Sequence, residues 1–366
     1  MLELRSPEGA FERIEAYLRE HGFFAPGGEE LEADVYLGYG LSEPLRRSGL
    51  PSPPEPCPLP LAAVRVRHAD FVFQEHKRPS DRASKPFDEE LVFQEHKRCT
   101  IGAWERSWSA AAYGAAVEAV RAAIERGDVY QVNLVQHLSA AFDGEPAALV
   151  AALAPFRPLA PFVAGDGWAI ASASPELFLA RRGRRVWTMP IKGTRPLGVH
   201  VLGAKDEAEH MMIVDLERND LSRVCEPGSV RWPELMAERE LAGVTHLVSR
   251  VEGTLRPDVG LAELLAATFP GGSVTGAPKL AALDEIARLE PVGRGASMGA
   301  LGVVRGTGDL ELALTIRTFA VAEERVHLWV GGGIVWDSDP DDEIEESWTK
   351  ARPLLAALGA PLEVTA

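Results

Sequence analysis

The sequence predicts an α+β fold, and three observations carry that prediction. Strand-like runs come in hairpin-like groups, at 168–172, 176–180 and 186–192 and again at 301–305, 311–318 and 326–330. Helical patterns at 204–224, 261–268, 278–289 and 341–358 are inserted between these groups instead of alternating with single strands. No Gly-x-Gly-x-x-Gly follows a first strand, so a dinucleotide-binding fold is not expected.

In chain order, residues 44–60 hold seven prolines in seventeen positions, which predicts a polyproline-like linker or extended surface strap. The heptapeptide VFQEHKR occurs at 72–78 and again at 92–98, too few copies for a solenoid and suited to a hairpin or a local duplication. Tyr113, Val117, Val120 and Ile124 then recur at helical spacing, with Gly127 at the expected stop. In VYQVNLVQ (129–136) alternation puts Tyr130, Val132 and Leu134 on one face of a strand and Gln131, Asn133 and Val135 on the other. Asp339 and Pro340 form an N-cap and first-turn pair for the last helix, which Pro353 is expected to kink.

The 366 residues carry a net charge of −16, which opposes nonspecific attraction to nucleic acid or an anionic membrane surface. An anionic ligand would therefore need local positive charge. The charged N-terminus lacks the apolar core of a leader, and the longest apolar run, 147–156, is too short to span a bilayer, so a soluble cytoplasmic protein is expected. Cys57, Cys99 and Cys225 lie far apart and form neither a disulfide framework nor a zinc ladder.

Several segments are hard to explain as packing alone. Lys192 sits inside the apolar run MPIKGTRP, sixteen residues after Glu176 at the head of another apolar strand; residue types alone leave open an ion pair between them. Asp206 and Glu209 stand at i, i+3 on one helix, and Glu343 and Glu346 do the same on another. Such pairs can serve the helix dipole, and Glu346 can pair with Lys350 at i+4, but together they could also form an oxygen-rich site for Mg²⁺. FPGGSVTGAPK (269–279) fails as a phosphate loop, yet its amides, Gly276 included, could hold an anion such as a carboxylate. Gly331, Gly332 and Gly333 would let a ligand approach the backbone.

Taken in order, GDVYQVNL, SPELFL, PIKGTRP, EHMMIVDLERNDLSRV, THLVSRV, FPGGSVTGAPK, TIRT and GGGIVWDSDPDDEIEE resemble the motifs of the chorismate-utilising enzymes, the family of anthranilate synthase component I. The resemblance covers residues 107–358. It implies a four-layer α/β/β/α sandwich with the active site between two sheets, and a catalytic core over 107–366 after a divergent, shortened N-terminal region over 1–106. It also implies Mg²⁺ bridging a chorismate carboxylate to Glu209 and Glu346, with Glu343 close by, and Glu176 as the acid/base at the C4 hydroxyl. His246, Thr194, Arg317, Lys279 and the amides of 331–333 resemble the groups that hold the ring and its carboxylates.

Two positions separate the branches of that family. Water-adding members carry a lysine where this chain has Gln131, and a neutral amide favours ammonia instead. Lys192 stands where anthranilate and isochorismate synthases resemble Pro-Ile-Ala-Gly-Thr; lysine there resembles aminodeoxychorismate synthase, in which the amine is proposed to attack the ring. Burial is expected to lower its pKa and free the amine. No cysteine has the glycine-flanked context of a glutaminase nucleophile, so a separate glutamine amidotransferase subunit, or free ammonia, is implied. An anthranilate synthase that has gained a lysine is the nearer alternative. A weakened chorismate-binding or regulatory subunit is the more distant one, suggested by the short N-terminal region and by Ser297 at a usual aromatic position.

Overall fold

The computed structural model describes residues 1–69, 99–196, 203–241, 244–359 and 364–365. Both copies of VFQEHKR lie outside them. The elements begin with β1 (Leu2–Leu4), α1 (Ala10–Glu20), β2 (Leu31–Leu37), β3 (Ala62–His68), β4 (Thr100–Ile101), β5 (Trp104–Arg106), α2 (Ala110–Glu125), β6 (Gln131–Asp143) and α3 (Ala148–Leu153). They continue with β7 (Phe162–Gly165), β8 (Trp168–Ser172), β9 (Leu177–Arg182), β10 (Arg185–Met189), β11 (Ile191–Pro196), α4 (Ala204–Ser222), β12 (Arg231–Leu241) and β13 (Val244–Thr254). The rest are α5 (Leu261–Thr268), β14 (Gly276–Ala277), α6 (Lys279–Leu289), β15 (Ala300–Arg305), β16 (Leu310–Leu314), β17 (Thr318–Ala322), β18 (Arg325–Ile334), α7 (Pro340–Ala357) and β19 (Val364–Thr365).

The strands form two sheets, as an α+β chain with hairpin-linked strands should. One runs β1-β3-β2-β15-β16-β9-β10-β13-β11 with β12 on β13, the other β19-β5-β6-β18-β17-β8-β7 with β4 and β14 on β6. The main core lies between the sheets, where Val135, Trp168 and Ile170 of the second meet Leu179, Val251 and Val304 of the first. Helices α2 and α7 pack on β6 and β18, while α1, α4 and α5 cover the first sheet, giving four layers. No helix among the described residues is long and apolar enough to cross a membrane.

The β6 alternation holds: Val132 and Leu134 pack with Tyr113, Val117 and Val120 of α2, and Val135 enters the core between the sheets. Tyr130 departs from the expected face; it precedes the strand and is 67% exposed. The run 186–192 is two strands, β10 and β11, and 311–318 is divided at Thr315–Arg317, where Arg317 has a φ of 50°. The β12–β13 hairpin carried too little apolar alternation to be read, because β12 is rich in charge and sits at the sheet edge. Helix α7 continues through Pro353 to Ala357 without stopping.

The N-terminal region joins the first sheet through β2, which pairs with β15, Leu37 opposite Ala300 and Glu32 opposite Arg305. The proline-rich strap is docked, not a free linker. Gly293 N–H donates to Pro54 O at 2.9 Å, Gly295 N–H donates to Glu55 Oε2 at 3.0 Å, and Cys57 is buried. A Cβ on Gly293 would overlap the Glu55 carboxylate, so a side chain there would have to displace it.

Between those two glycines stands Arg294, whose side chain is 1% exposed beside an equally buried Glu290. Its guanidinium donates to both Glu290 oxygens, to Val274 O at 2.8 Å and to Asn133 O at 2.7 Å. Glu290 Oε1 also accepts from Val135 N–H at 3.1 Å. One ion pair thus joins α6, β6 and the 271–276 loop, with its charges satisfied on all sides. Arg294→Met should cost about 3–5 kcal/mol of unfolding free energy by leaving a buried carboxylate unpaired. Arg294→Met/Glu290→Leu should cost less than the sum of the single changes, and urea denaturation of the three variants checks both expectations.

Candidate active site

Two helices bring carboxylates, and β11 brings a lysine, to one place beside the glycines near the end of β18. From α4, Glu209 accepts from Gln131 Nε2 at 2.8 Å and pairs with Lys192 Nζ, from β11, at 3.0 Å. From α7, Glu346 pairs with Lys350 Nζ at 2.7 Å and Glu343 accepts from Ser338 Oγ at 2.6 Å. Lys350 Nζ also donates to Gly331 O at 2.8 Å. The space at the centre is tight: a Cβ on Gly332 would lie 3.2 Å from Glu343 Oε2 and 3.3 Å from Glu346 Oε1. On Gly333 it would overlap Gln131 Nε2 and lie 2.9 Å from Glu209 Oε1.

A second cluster meets the first at Lys192. Glu176, at the turn into β9, is buried and accepts from Ser273 Oγ at 2.8 Å, while its carbonyl accepts from Leu314 N–H. Burial raises the Glu176 pKa, held back by the Ser273 hydroxyl, the Lys192 charge, the Ile191 amide and the Arg317 charge. His246, on β13, is 2% exposed with Nδ1 2.7 Å from Gly193 O; burial lowers its pKa, the Gly193 carbonyl opposes that shift, and the Arg317 charge adds to it. Glu176, Lys192, Arg317 and His246 thus lie within electrostatic reach of one another: Lys192 and Arg317 both act on Glu176, and Arg317 acts on His246.

The expectation that burial frees the Lys192 amine is corrected. Burial does push its pKa down, but Glu209 first, then Glu176 and Glu346, outweigh it and hold the ammonium above its ordinary 10.5. The reciprocal holds for Glu209, where Lys192 overcomes burial and keeps the carboxyl below 4.5. Residue types also suggested a Glu176–Lys192 pair, whereas the direct partner of Lys192 is Glu209.

Glu209, Glu343 and Glu346 supply only oxygen donors around one small space, the chemistry that suits a hard cation such as Mg²⁺. Their oxygens pair with Lys192, Ser338 and Lys350, and among the described residues no three acids or histidines stand at metal-ligand spacing. The donor set fits the ion in kind; engaging it requires the lysines to yield their partners.

Other expected site residues lie elsewhere. Lys279 donates to Asp220 Oδ2 at 2.5 Å and to Pro270 O at 2.6 Å, and so anchors the 269–279 loop on α4. Gly276 acts through close approach: a Cβ there would overlap Gln131 O, and its φ of 147° suits glycine alone. Gly331 similarly packs against Leu134 O. The side chains of Thr194 and Asp206 lie outside the described set. Ser297 is fully buried beneath Thr315 and presents no surface to the cluster.

Sequence reasoning missed Ser273 and Lys350 as members of the cluster. Lys350 carried a signal, its i+4 spacing from Glu346, and that pair does form. Ser273 carried none, because the contact with Glu176 spans 97 residues.

The depressed Glu209 carboxyl has a testable sign. It stabilises the fold above the unfolded value of 4.5, and that stabilisation is lost as pH falls through the lower folded value. Glu209→Gln should lower stability at pH 7 by about 1–3 kcal/mol and narrow its gap from wild type by pH 3. Urea midpoints at the two pH values measure this, and an unchanged gap contradicts the pairing.

Comparison with known proteins identifies the family and the fold. Residues 35–356 match the family model described as chorismate binding enzyme. The chain is 40% identical over 269 residues to aminodeoxychorismate synthase component 1 of Klebsiella aerogenes, covering 70% of this chain and 60% of that protein. It is 42% identical over 260 residues to anthranilate synthase component 1 of Thermus thermophilus, covering 66% and 56%. The chain thus spans about 60% of the length of the curated relatives it matches. Anthranilate synthase component I from Streptococcus pneumoniae superposes with a TM-score of 0.76 at 26% identity, over 93% of this chain and 84% of that one. The menaquinone-specific isochorismate synthase of Escherichia coli shares the fold, with a TM-score of 0.71 at 19% identity over 98% and 84%. With a family model over most of its length and the same two-sheet architecture, this chain belongs to the chorismate binding enzyme family.

Proposed function

We propose that the chain aminates chorismate at C4 as component I of an aminodeoxychorismate synthase, yielding 4-amino-4-deoxychorismate for para-aminobenzoate and folate synthesis. The observation that carries this reading is Lys192, half-buried and paired with Glu209, with the Glu176 charge also acting on it. Relatives of both the aminodeoxychorismate and anthranilate types match at similar identity, so overall similarity does not choose between them.

In this reading Glu176 keeps its proton by burial and donates it to the C4 hydroxyl, which leaves as water. Lys192 Nζ bonds to the ring as that hydroxyl departs, and ammonia then adds at C4 and expels the amine. Lys192 must first lose a proton, so release of its Glu209 partner is the prerequisite for attack. Arg317 and His246 hold the substrate anion, and the amides of Gly332 and Gly333 allow its close approach. Glu209 and Glu346, with Glu343 beside them, would hold Mg²⁺, which supplies positive charge against a substrate carboxylate. Gln131 supports ammonia over water: its Nε2 is committed to Glu209, while its buried Oε1 has no hydrogen-bond partner among the described residues and can accept from an N–H.

Ammonia would come from a separate glutamine amidotransferase subunit. Cys57 and Cys225 are buried, and burial raises all three thiols, Cys225 to about 11, which suits none of them to act as a glutaminase thiolate.

Incubation with chorismate, Mg²⁺ and ammonium, followed by product mass analysis, should give aminodeoxychorismate. Anthranilate as the main product would assign the other branch, and intact chorismate would favour a binding or regulatory subunit. Lys192→Ala should lower kcat by at least about 100-fold with folding retained, and wild-type turnover by that variant would exclude the covalent route. Chelation of Mg²⁺ should abolish turnover and leave the circular dichroism spectrum unchanged.

A further inference from the structure

A second buried acid stands close to Glu176 and has no part in the chemistry above. Glu217, two turns along α4 from Glu209, is buried and accepts from Thr188 Oγ1, on β10, at 2.7 Å. It lines a cavity of about 10 Å³ with Thr188, Phe178, Asp220 and Gly272, room for about one water molecule. The 272–273 turn separates the two acids: Gly272 packs on Glu217, a Cβ there falling 3.4 Å from Glu217 Cγ, and Ser273 donates to Glu176.

The charged groups facing Glu217 are Glu176 from the turn into β9, Asp220 from its own helix and Lys279 from α6. Lys279 is the one cation of the three, and it is spent on Asp220 and on the Pro270 carbonyl. Burial pushes the Glu217 carboxyl up to about 8; the Thr188 hydroxyl opposes this, and Glu176 and Asp220 add to it.

We propose that Glu217 is a positioning residue for proton donation by Glu176: neutral, it backs the 272–273 turn that holds Glu176, and ionised, it makes Glu176 a poorer acid and slows turnover. A negative charge beside Glu176 favours its protonated form and so weakens it as a donor to the leaving hydroxyl. The same charge repels an anionic substrate. The inference rests on Glu176 being the proton donor in the reaction proposed above.

The test compares wild type, Glu217→Gln and Thr188→Val for chorismate loss with Mg²⁺ and ammonium between pH 6.5 and 9.5. Glutamine keeps the shape and the acceptor for Thr188 but cannot ionise. Relative to its own rate at pH 7, Glu217→Gln should retain at pH 9 at least about threefold more activity than wild type does. Thr188→Val removes a donor that favours the carboxylate, so it should move the alkaline limb upward too. Superposed profiles overturn the inference while leaving the function intact.

A wild-type chain that consumes no chorismate rejects the functional reading instead, and thermal unfolding without ligand then decides. A carboxyl raised above its unfolded value of 4.5 contributes stability that is present at pH 4.5 and lost as pH rises through about 8. Wild-type Tm should therefore fall by roughly 2–5 °C relative to Glu217→Gln between pH 5 and 8, and parallel curves overturn the neutral-acid state.

Discussion

The buried pair of Arg294 and Glu290 is the interaction on which the remaining geometry rests. Arg294 binds the carbonyls of Val274 and Asn133, and Glu290 binds the amide of Val135, so one pair fixes the distance between the 271–276 loop and β6. Ser273, which holds Glu176, belongs to that loop, and Gln131, which holds Glu209, belongs to that strand. A guanidinium is suited to the task because its fixed fork serves several acceptors at once. An ammonium at the same place would leave carbonyls unpaired in a dry interior.

Around this frame the molecule solves a problem of like charge. Glu209, Glu343 and Glu346 are gathered about Gly332 and Gly333, and Glu176 is within electrostatic reach through Lys192, in a protein that is acidic overall. Lys192 and Lys350 neutralise two of them, Ser338 and Ser273 satisfy the others, and the glycines of β18 leave the necessary space. The same arrangement explains why Lys192 keeps its proton. Burial alone would free the amine, but three carboxylates nearby are the larger effect.

Much of this was legible in the sequence. The motif order carried the fold, the i, i+3 acids of α7 carried the cluster, and the alternation in VYQVNL put Gln131 on the correct face. What was not legible depends on long-range contact. Nothing local marks Lys279 as the partner of Asp220 rather than of a ligand, or Ser273 as the partner of Glu176, because each contact closes a loop of tens of residues. The sign of the Lys192 shift was misjudged for a related reason: desolvation can be inferred from an apolar neighbourhood in sequence, whereas the opposing carboxylates come from other elements.

The pairing of β2 with β15 bears on how the chain can be handled. Strands β1 to β3 cap one end of the first sheet, and β15 offers its full row of amides and carbonyls to β2. A fragment cut to the motif-bearing residues would expose that row as an open edge, long and largely apolar, on which another copy could add a strand. Strands β1 to β3 thus close an edge that β15 would otherwise leave open.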